Sequence, residues 1–307
     1  NENRLPLKIH GKKTLQSIKY EMPVASAQVK SCVLLAGLFA DGKTSVVENF
    51  KFEVSNNESA ISITRDHTER MLKWFGVEIE EKRMENGNVF TISGDSELTA
   101  KDLQIPSDIS SAAFFLTAAA CLKDSEIIIE NVGLNPTRNA IIEAMQRFGA
   151  NIEILNSAEI CNEPVGDLRI IGNKKYHSPL NSNIIDGKII ANLIDEIPIL
   201  AIFGTQIENG LEIRGAEELR VKESDRIAAV VENLRRMNGK VEEFADGFRV
   251  EKSNLKGAKI DSFGDHRIAM AFAVAALLAT GESEITGADS ANVSFPEFFK
   301  TLENVAK

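Results

Sequence analysis

Apolar and small residues run almost without interruption through four stretches of this chain. Each stretch is followed by a short polar turn and then by alternating apolar and polar positions. The four read ASAQVKSCVLLAGLFADGKTSVVEN, ISSAAFFLTAAACLKDSEIIIENV, DEIPILAIFGTQIENGLEIRGA and DHRIAMAFAVAALLATGESEITGA. Apolar content on every side predicts helices buried all round, starting near Ser26, Ser111, Glu196 and His266, and the alternation behind each predicts a β-strand. A second helix follows in each copy, in RDHTERMLKWFGVEIE, NPTRNAIIEAMQRFGANIEI, ESDRIAAVVENLRRMNGKVEEF and FPEFFKTLENVAK. These are amphipathic and can face solvent, and the first three run on into strand pairs such as Val77–Glu81 with Val89–Ser93.

The spacing between copies is uneven, so the repeat is structural rather than a strict sequence array. A buried helix, an exposed helix and a sheet cannot cover their own apolar faces, so several units must share a core. The predicted class is α/β, made of repeated units. A turn-rich, charged passage from Gly94 to Ile105 predicts a domain boundary, with about one unit in residues 1–104 and three in 105–307.

At 307 residues, 43% hydrophobic and 26% charged, the chain has ordinary globular composition. With 45 acidic against 35 basic residues, its net charge of −10 gives no general footprint for nucleic acid or anionic membrane. Any anion site must be local. Cys32, Cys121 and Cys161 are odd in number and lack metal-ligand spacing, which suggests a reducing, cytoplasmic setting and inert thiols. His10, His67, His177 and His266 are too scattered for a sequence-readable metal site, and no metal or other cofactor is expected. The uncharged run Ile268 to Thr280 is shorter than the about 20 apolar residues a bilayer asks for, and no signal peptide pattern opens the sequence.

Chemistry concentrates at helix starts. Arg220-Val221-Lys222-Glu223-Ser224-Asp225-Arg226 sets five charged side chains before an apolar helical pattern, with Ser224 or Asp225 able to cap it. Pro23 to Ser31 leads into the first buried helix, where backbone N–H groups, the Ser26 hydroxyl and the Gln28 amide can hold a phosphate. Asp195 precedes another such start, where the helix dipole stabilises a carboxylate able to accept a hydroxyl's hydrogen bond. Asp265-His266-Arg267 opens the last, and its arginine must pair with acids or meet a ligand carboxylate through its fork. Each feature alone is also what an ordinary cap looks like. Together, converging at one architectural position, they supply phosphate donors, carboxylate-binding cations and two carboxylates for proton handling. That inventory suits a reaction between two anionic small molecules.

PVASAQVKSCVLLAGLFADG, RDHTERML, DISSAAFFLTAAA, VGLNPTR, LIDEIPILA, ELRVKESDRI and GDHRIAMA resemble, in order, the motifs of the 5-enolpyruvylshikimate-3-phosphate synthases (3-phosphoshikimate 1-carboxyvinyltransferases), from Pro23 to Met270. The resemblance implies the enolpyruvyl transferase fold, an inside-out α/β barrel of βαβαββ units, with four of six units present here. It implies transfer of the enolpyruvyl group of phosphoenolpyruvate to the 5-hydroxyl of shikimate 3-phosphate, releasing phosphate, on the route to chorismate and aromatic amino acids. Carried over by position, Ser26, Ala27, Gln28, Thr64, Asp195 and Lys222 would hold shikimate 3-phosphate, and Gln28, Arg226 and Arg267 would hold phosphoenolpyruvate. Asp195 would orient or deprotonate the attacking hydroxyl, and Glu223 would handle a proton at the methylene carbon.

The family also begins with two further units bearing a Lys-Ser motif, a Gly-Asn-rich phosphate loop and an Arg-Pro-Met-type arginine, which are not found here. The resemblance therefore implies a chain lacking the amino-terminal third and inactive, or nearly so, alone. Smaller departures are Thr64 where Ser is usual, a longer passage from Phe50 to Ile63, Ser107 for Gly, Asn139-Ala140 for Thr-Gly, and Val293-Ser294 where one branch has a lysine. The expected partners are the two small substrates, with no nucleic acid and no membrane, for a monomeric cytoplasmic protein. Two rival readings stand: the sister enzyme acting on UDP-N-acetylglucosamine, whose reactive-loop cysteine setting is not seen, and a non-catalytic module whose charged helix starts are only caps.

Overall fold

In four places a strand, a helix and a parallel strand follow one another, and this is what the repeated pattern folds into. The computed structural model describes residues 6–23, 25–48, 51–53, 59–61, 64–84, 87–172, 175–177, 183–187 and 189–306. They fall into two compact units, Asn1–Lys51 with Ile61–Asp102, and Phe52–Ala60 with Leu103–Lys307.

Unit 1 carries β1 (Leu15–Gln16), β2 (Lys19–Glu21), α1 (Ala27–Gly37), β3 (Ala40–Asp41) and β4 (Lys43–Glu48). The chain then forms the short ribbon of β5 (Lys51–Glu53) and β6 (Ser59–Ile61), most of which belongs to unit 2, before unit 1 resumes with α2 (His67–Trp74), β7 (Ile79–Met84) and β8 (Gly87–Ser93). Its main sheet runs β2-β4-β8-β7, with β2 parallel to β4 and the other neighbours antiparallel. Leu34 of α1 is fully buried, as are Val46 of β4, Leu72 of α2 and Ile92 of β8, and these are among the unit's core residues. Gly37 permits the close approach of helix and sheet, since a Cβ there would lie 2.8 Å from Ile92 Cγ2.

Unit 2 holds α3 (Ile109–Cys121), β9 (Glu126–Gly133), α4 (Ala140–Arg147), β10 (Asn151–Ile160) and β11 (Glu163–Ile171). Next come β12 (Ile184–Ile185), α5 (Ile189–Leu193), α6 (Ile197–Gly204), β13 (Leu211–Ile213), α7 (Arg226–Arg236), β14 (Val241–Phe244) and β15 (Gly247–Val250). The last copy is β16 (Lys259–Asp261), α8 (His266–Leu278), β17 (Glu284–Thr286) and α9 (Phe298–Val305). The order β12-β13-β15-β14 repeats that of unit 1, again with one parallel pair. The first copy does the same with a parallel bridge from Ser107 to Val132 ahead of β9-β11-β10, and β16 pairs parallel with β17. The sheets stay open and separate among the described residues.

The helices α3, α6 and α8 pack against one another, and their many Ala and Gly positions let the backbones come close. All eight residues of α6 are buried. From α9, Phe298 seals this interior with its ring 5.7 Å from Phe114 and 5.6 Å from Phe115. Gly204 ends α6 where a Cβ would lie 2.5 Å from Val250 Cγ2 and 2.8 Å from Leu211 Cβ. Gly204→Ala is expected to cost unit 2 about 1–3 kcal/mol by overpacking, read as a lower denaturant midpoint.

The expectation that all four Ala-rich helices are buried all round holds for α3, α6 and α8 but not for α1. Only Lys30, Leu34 and Gly37 of α1 are buried, and Leu35 is 41% exposed, followed by Phe39 at 77%. The physical reason is that α1 has one sheet to pack on and, among the described residues of its unit, no second helix of its kind. The second helices behave as their pattern predicts: α2, α4, α7 and α9 each bury one stripe.

Candidate functional site

Acidic caps fix the amino ends of α3, α7 and α8 in unit 2. Asp108 caps α3 by accepting from the Ser111 amide at 2.9 Å. Asp225, rather than Ser224, caps α7 through the Ala228 amide at 2.9 Å, and Asp265 caps α8 through the Arg267 amide at 2.8 Å. Glu196, at the start of α6, accepts from the Ser110 hydroxyl of α3. Arg138 donates to that same hydroxyl at 3.0 Å and to Asp108 at 2.7 Å. Helix dipoles favour acids in these places, and these caps and cross-links tie the amino end of α6 to that of α3.

Arg226, the first residue of α7, is 1% exposed and sits among three acids. Its Nε donates to Asp265 at 2.8 Å, its Nη2 to Glu223 at 2.6 Å and its Nη1 to Asp195 at 3.5 Å. Asp195 lies in the turn between α5 and α6. Its carbonyl accepts from Arg267 Nη1 at 3.2 Å, and its carboxylate lies 3.7 Å from Arg267 Nε. Ser224 donates to Asp265 at 3.1 Å. The structure thus brings Asp195, Glu223, Arg226 and Arg267 together. Lys222, nearby in sequence, pairs with Glu218 at 2.5 Å.

These groups differ in access. Asp265 is fully buried, Asp195 and Arg267 are mostly covered, and the Glu223 side chain is 52% exposed. Burial pushes the Asp265 carboxyl up, but the hydrogen bond and charge of Arg226 and the Arg267 amide outweigh it and hold the group below the usual aspartate range. Burial, reinforced by the like charge of Arg267, holds His266 below the ordinary histidine range, so its imidazole is neutral at pH 7. Two guanidinium groups face three carboxylates, and the most exposed of the three is Glu223. An incoming anion that displaced it would find Arg226 Nη2.

In unit 1 the sequence-named residues take ordinary structural places. Ser26 caps α1, accepting from the Val29 amide at 3.4 Å; Ala27 begins the helix and Gln28 is exposed in its first turn. Thr64 is 4% exposed and its hydroxyl donates to Glu48. Beneath these residues lies an ion cluster that sequence reasoning missed: Lys30 with Glu48 and Glu69, all at 0–1% side-chain exposure. Asp265 was missed too, although its place before the His-Arg pair marks it as a cap. Glu196, Ser110, Arg138 and Asp108 lie within the quoted stretches LIDEIPILA, DISSAAFFLTAAA and VGLNPTR, but nothing local shows that they meet.

Cys32 is exposed, burial pushes the Cys121 thiol up, and Cys161 accepts from the Gln104 amide at 3.4 Å. Among the described residues no cluster of His, Cys, Asp and Glu has metal-holding geometry, and no helix is long and apolar enough to cross a membrane.

The family model for EPSP synthase (3-phosphoshikimate 1-carboxyvinyltransferase) matches residues 1–302. The 3-phosphoshikimate 1-carboxyvinyltransferase of Solibacter usitatus is 48% identical over 303 residues, covering 98% of this chain and 66% of that protein. EPSP synthase from Acinetobacter baumannii superposes with a TM-score of 0.79 at 38% identity, covering 95% of this chain and 63% of that one. The enolpyruvyl transferase NikO of Streptomyces tendae shares the fold, with a TM-score of 0.69 at 15% identity over 96% of this chain and 65% of its own. The chain spans about two thirds of the length of these relatives.

Proposed function

This chain belongs to the EPSP synthase family, and from that membership we propose that it serves transfer of the enolpyruvyl group of phosphoenolpyruvate to the 5-hydroxyl of shikimate 3-phosphate, with release of phosphate. The observation that carries the reading is the meeting of Arg226 and Arg267 with Asp195 and Glu223 at the amino ends of α6, α7 and α8. In unit 2, Arg226 and Arg267 hold phosphoenolpyruvate, neutralising the charge that would repel a second anion. Asp195 and Lys222 hold shikimate 3-phosphate, and Asp195 orients its 5-hydroxyl and accepts the proton. Glu223 delivers a proton to the methylene carbon, which makes the neighbouring carbon electrophilic, and takes a proton back as phosphate leaves. In unit 1, Ser26, Ala27 and Gln28 serve shikimate 3-phosphate through the amino end of α1, and Gln28 also serves phosphoenolpyruvate. Thr64 joins this set through its backbone, or through its hydroxyl once that leaves Glu48.

On this reading the two substrates are the partners, no cofactor is involved, and the protein is a cytoplasmic monomer. Calorimetric titration tests the substrate assignment. Saturable heat is expected with shikimate 3-phosphate, with phosphoenolpyruvate binding more tightly in its presence. No saturable heat with either compound, or a preference for UDP-N-acetylglucosamine, sinks the reading.

A further inference from the structure

Lys30 is the one charged residue of α1, and it is fully buried. Its ammonium lies 2.5 Å from Glu69 of α2, 3.2 Å from Glu48 at the end of β4, 3.4 Å from the Thr64 carbonyl and 4.6 Å from the centre of the Phe90 ring of β8. Thr64 is held twice, since its hydroxyl donates to Glu48 while its carbonyl accepts from Lys30. A second tie joins the two helices where the Ser31 and Thr68 hydroxyls meet at 2.6 Å.

Stability alone does not explain these charges. Taking ions out of water is costly, and replacing a buried ion cluster by apolar residues of similar volume is often neutral or stabilising. A methionine at position 30 would continue the apolar pattern of α1. Nor can the cluster bind a ligand directly: Arg226 has the half-exposed Glu223 before it, which an anion can displace, whereas the carboxylates that meet Lys30 are themselves 0–1% exposed. What the charges do supply is direction: the lysine addresses three elements at fixed points, which an apolar contact would leave free to slide.

We propose that Lys30, Glu48 and Glu69 are positioning residues, which hold Ser26, Ala27 and Gln28 at the amino end of α1 in fixed relation to Thr64, three residues ahead of α2. The proposal rests on the reading of these residues as binders of shikimate 3-phosphate. Lys30 lies one turn beyond Ser26, its amide bonded to the Ser26 carbonyl at 3.1 Å, so a shift of the lysine moves the helix start directly. Among the described residues the cluster holds one cation against two carboxylates. Among the described residues, neither oxygen of Glu69 nor Oε2 of Glu48 accepts an aligned hydrogen bond. Burial pushes the Glu69 carboxyl up, against the opposing charge of Lys30, and Asp66 adds to the rise. Glutamine at position 69 is therefore the conservative replacement, keeping shape where burial already pushes the carboxyl towards its neutral form, whereas Glu48 takes both Lys30 and the Thr64 hydroxyl and has its charge in use.

The test compares the 307-residue chain with its Lys30→Met, Glu48→Gln, Glu69→Gln and Glu69→Ala variants by site-resolved amide exchange without ligand and by shikimate 3-phosphate titration. Lys30→Met, Glu48→Gln and Glu69→Ala are expected to speed exchange about tenfold or more at residues 26–31 and 64–70, with β7 and β8 within twofold of the parent. Glu69→Gln is expected to restore both protection and affinity to within twofold. The three damaging variants are expected to weaken shikimate 3-phosphate about tenfold. Uniform loss of protection across unit 1, no loss at all, or unchanged affinity in Lys30→Met and Glu48→Gln would overturn the proposal. Should Lys30→Met fail to fold, the isosteric Glu48→Gln decides, and failure of both marks the cluster as merely structural. If the parent binds no shikimate 3-phosphate, the functional reading fails while the exchange data still decide whether the cluster positions the helix starts.

Discussion

Asp265→Ala is expected to destabilise unit 2 by about 3–5 kcal/mol, the range for breaking a buried ion pair by deleting one partner. Three donors converge on this fully buried carboxylate: Arg226 Nε at 2.8 Å, the Ser224 hydroxyl at 3.1 Å and the Arg267 amide at 2.8 Å. Alanine removes the cap of α8, worth about 1 kcal/mol. It also strands a guanidinium that is 1% exposed. Asparagine separates these losses, because it caps as well as aspartate but cannot balance the charge; Asp265→Asn should fall between parent and alanine. The pH dependence has a definite sign. A carboxyl held below its unfolded value contributes stability that is complete above about pH 4 and is lost as pH falls through the folded value. Both variants should therefore approach the parent under acid conditions. Denaturant unfolding across pH measures this, and a loss under about 1 kcal/mol for Asp265→Ala at neutral pH refutes the account.

Features encoded within a single element are legible in the sequence. The Ala-rich runs announce α1, α3, α6 and α8 within a few residues of their true starts, because a helix buried on every side must be apolar on every side. The strand pair of β7 and β8 was legible for the same reason, its alternation being local. What was not legible was which particular partner, far along the chain, each group meets. The sequence of α1 looks as buried as that of α3, yet Leu35 and Phe39 face solvent, since composition shows what a helix can bury and not whether a neighbour is there. The resemblance carries Thr64 over as a binder of shikimate 3-phosphate, and only the fold shows that its hydroxyl donates to Glu48. Lys30 did carry a signal, a lone charge in an apolar helix, but its carboxylate partners come from β4 and α2 and have no mark of their own. Arg226 was named for its motif. That it spends its donors on three acids from different segments was not legible, because opposite charges in a sequence do not say which of them meet.

Those three acids make Arg226→Lys a demanding substitution even though it conserves charge. The guanidinium sends Nε to Asp265, Nη2 to Glu223 and Nη1 to Asp195, in directions fixed by a planar fork. A lysine ammonium is a single point on a flexible stem and cannot reach all three positions at once. Losing one or more charge-assisted hydrogen bonds at about 1.5–3 kcal/mol each should lower unit 2 stability by that order. The same loss applied to a bound carboxylate should weaken phosphoenolpyruvate about tenfold to hundredfold, since 1.4 kcal/mol corresponds to a factor of ten. Glu223→Gln gives the opposite sign. It removes the exposed member of the acid set, so Nη2 no longer has to give up an ionic partner, and phosphoenolpyruvate should bind as tightly as in the parent or severalfold more tightly. At the same time it deletes the group assigned to proton delivery, so any turnover should fall by about 10²–10⁴. Titration of the two variants side by side discriminates. If Arg226→Lys binds phosphoenolpyruvate like the parent, the guanidinium is a structural tie between helix starts and the ligand's carboxylate is held elsewhere. If Glu223→Gln weakens binding as much as Arg226→Lys does, Glu223 holds the fork in place rather than competing with the ligand for it.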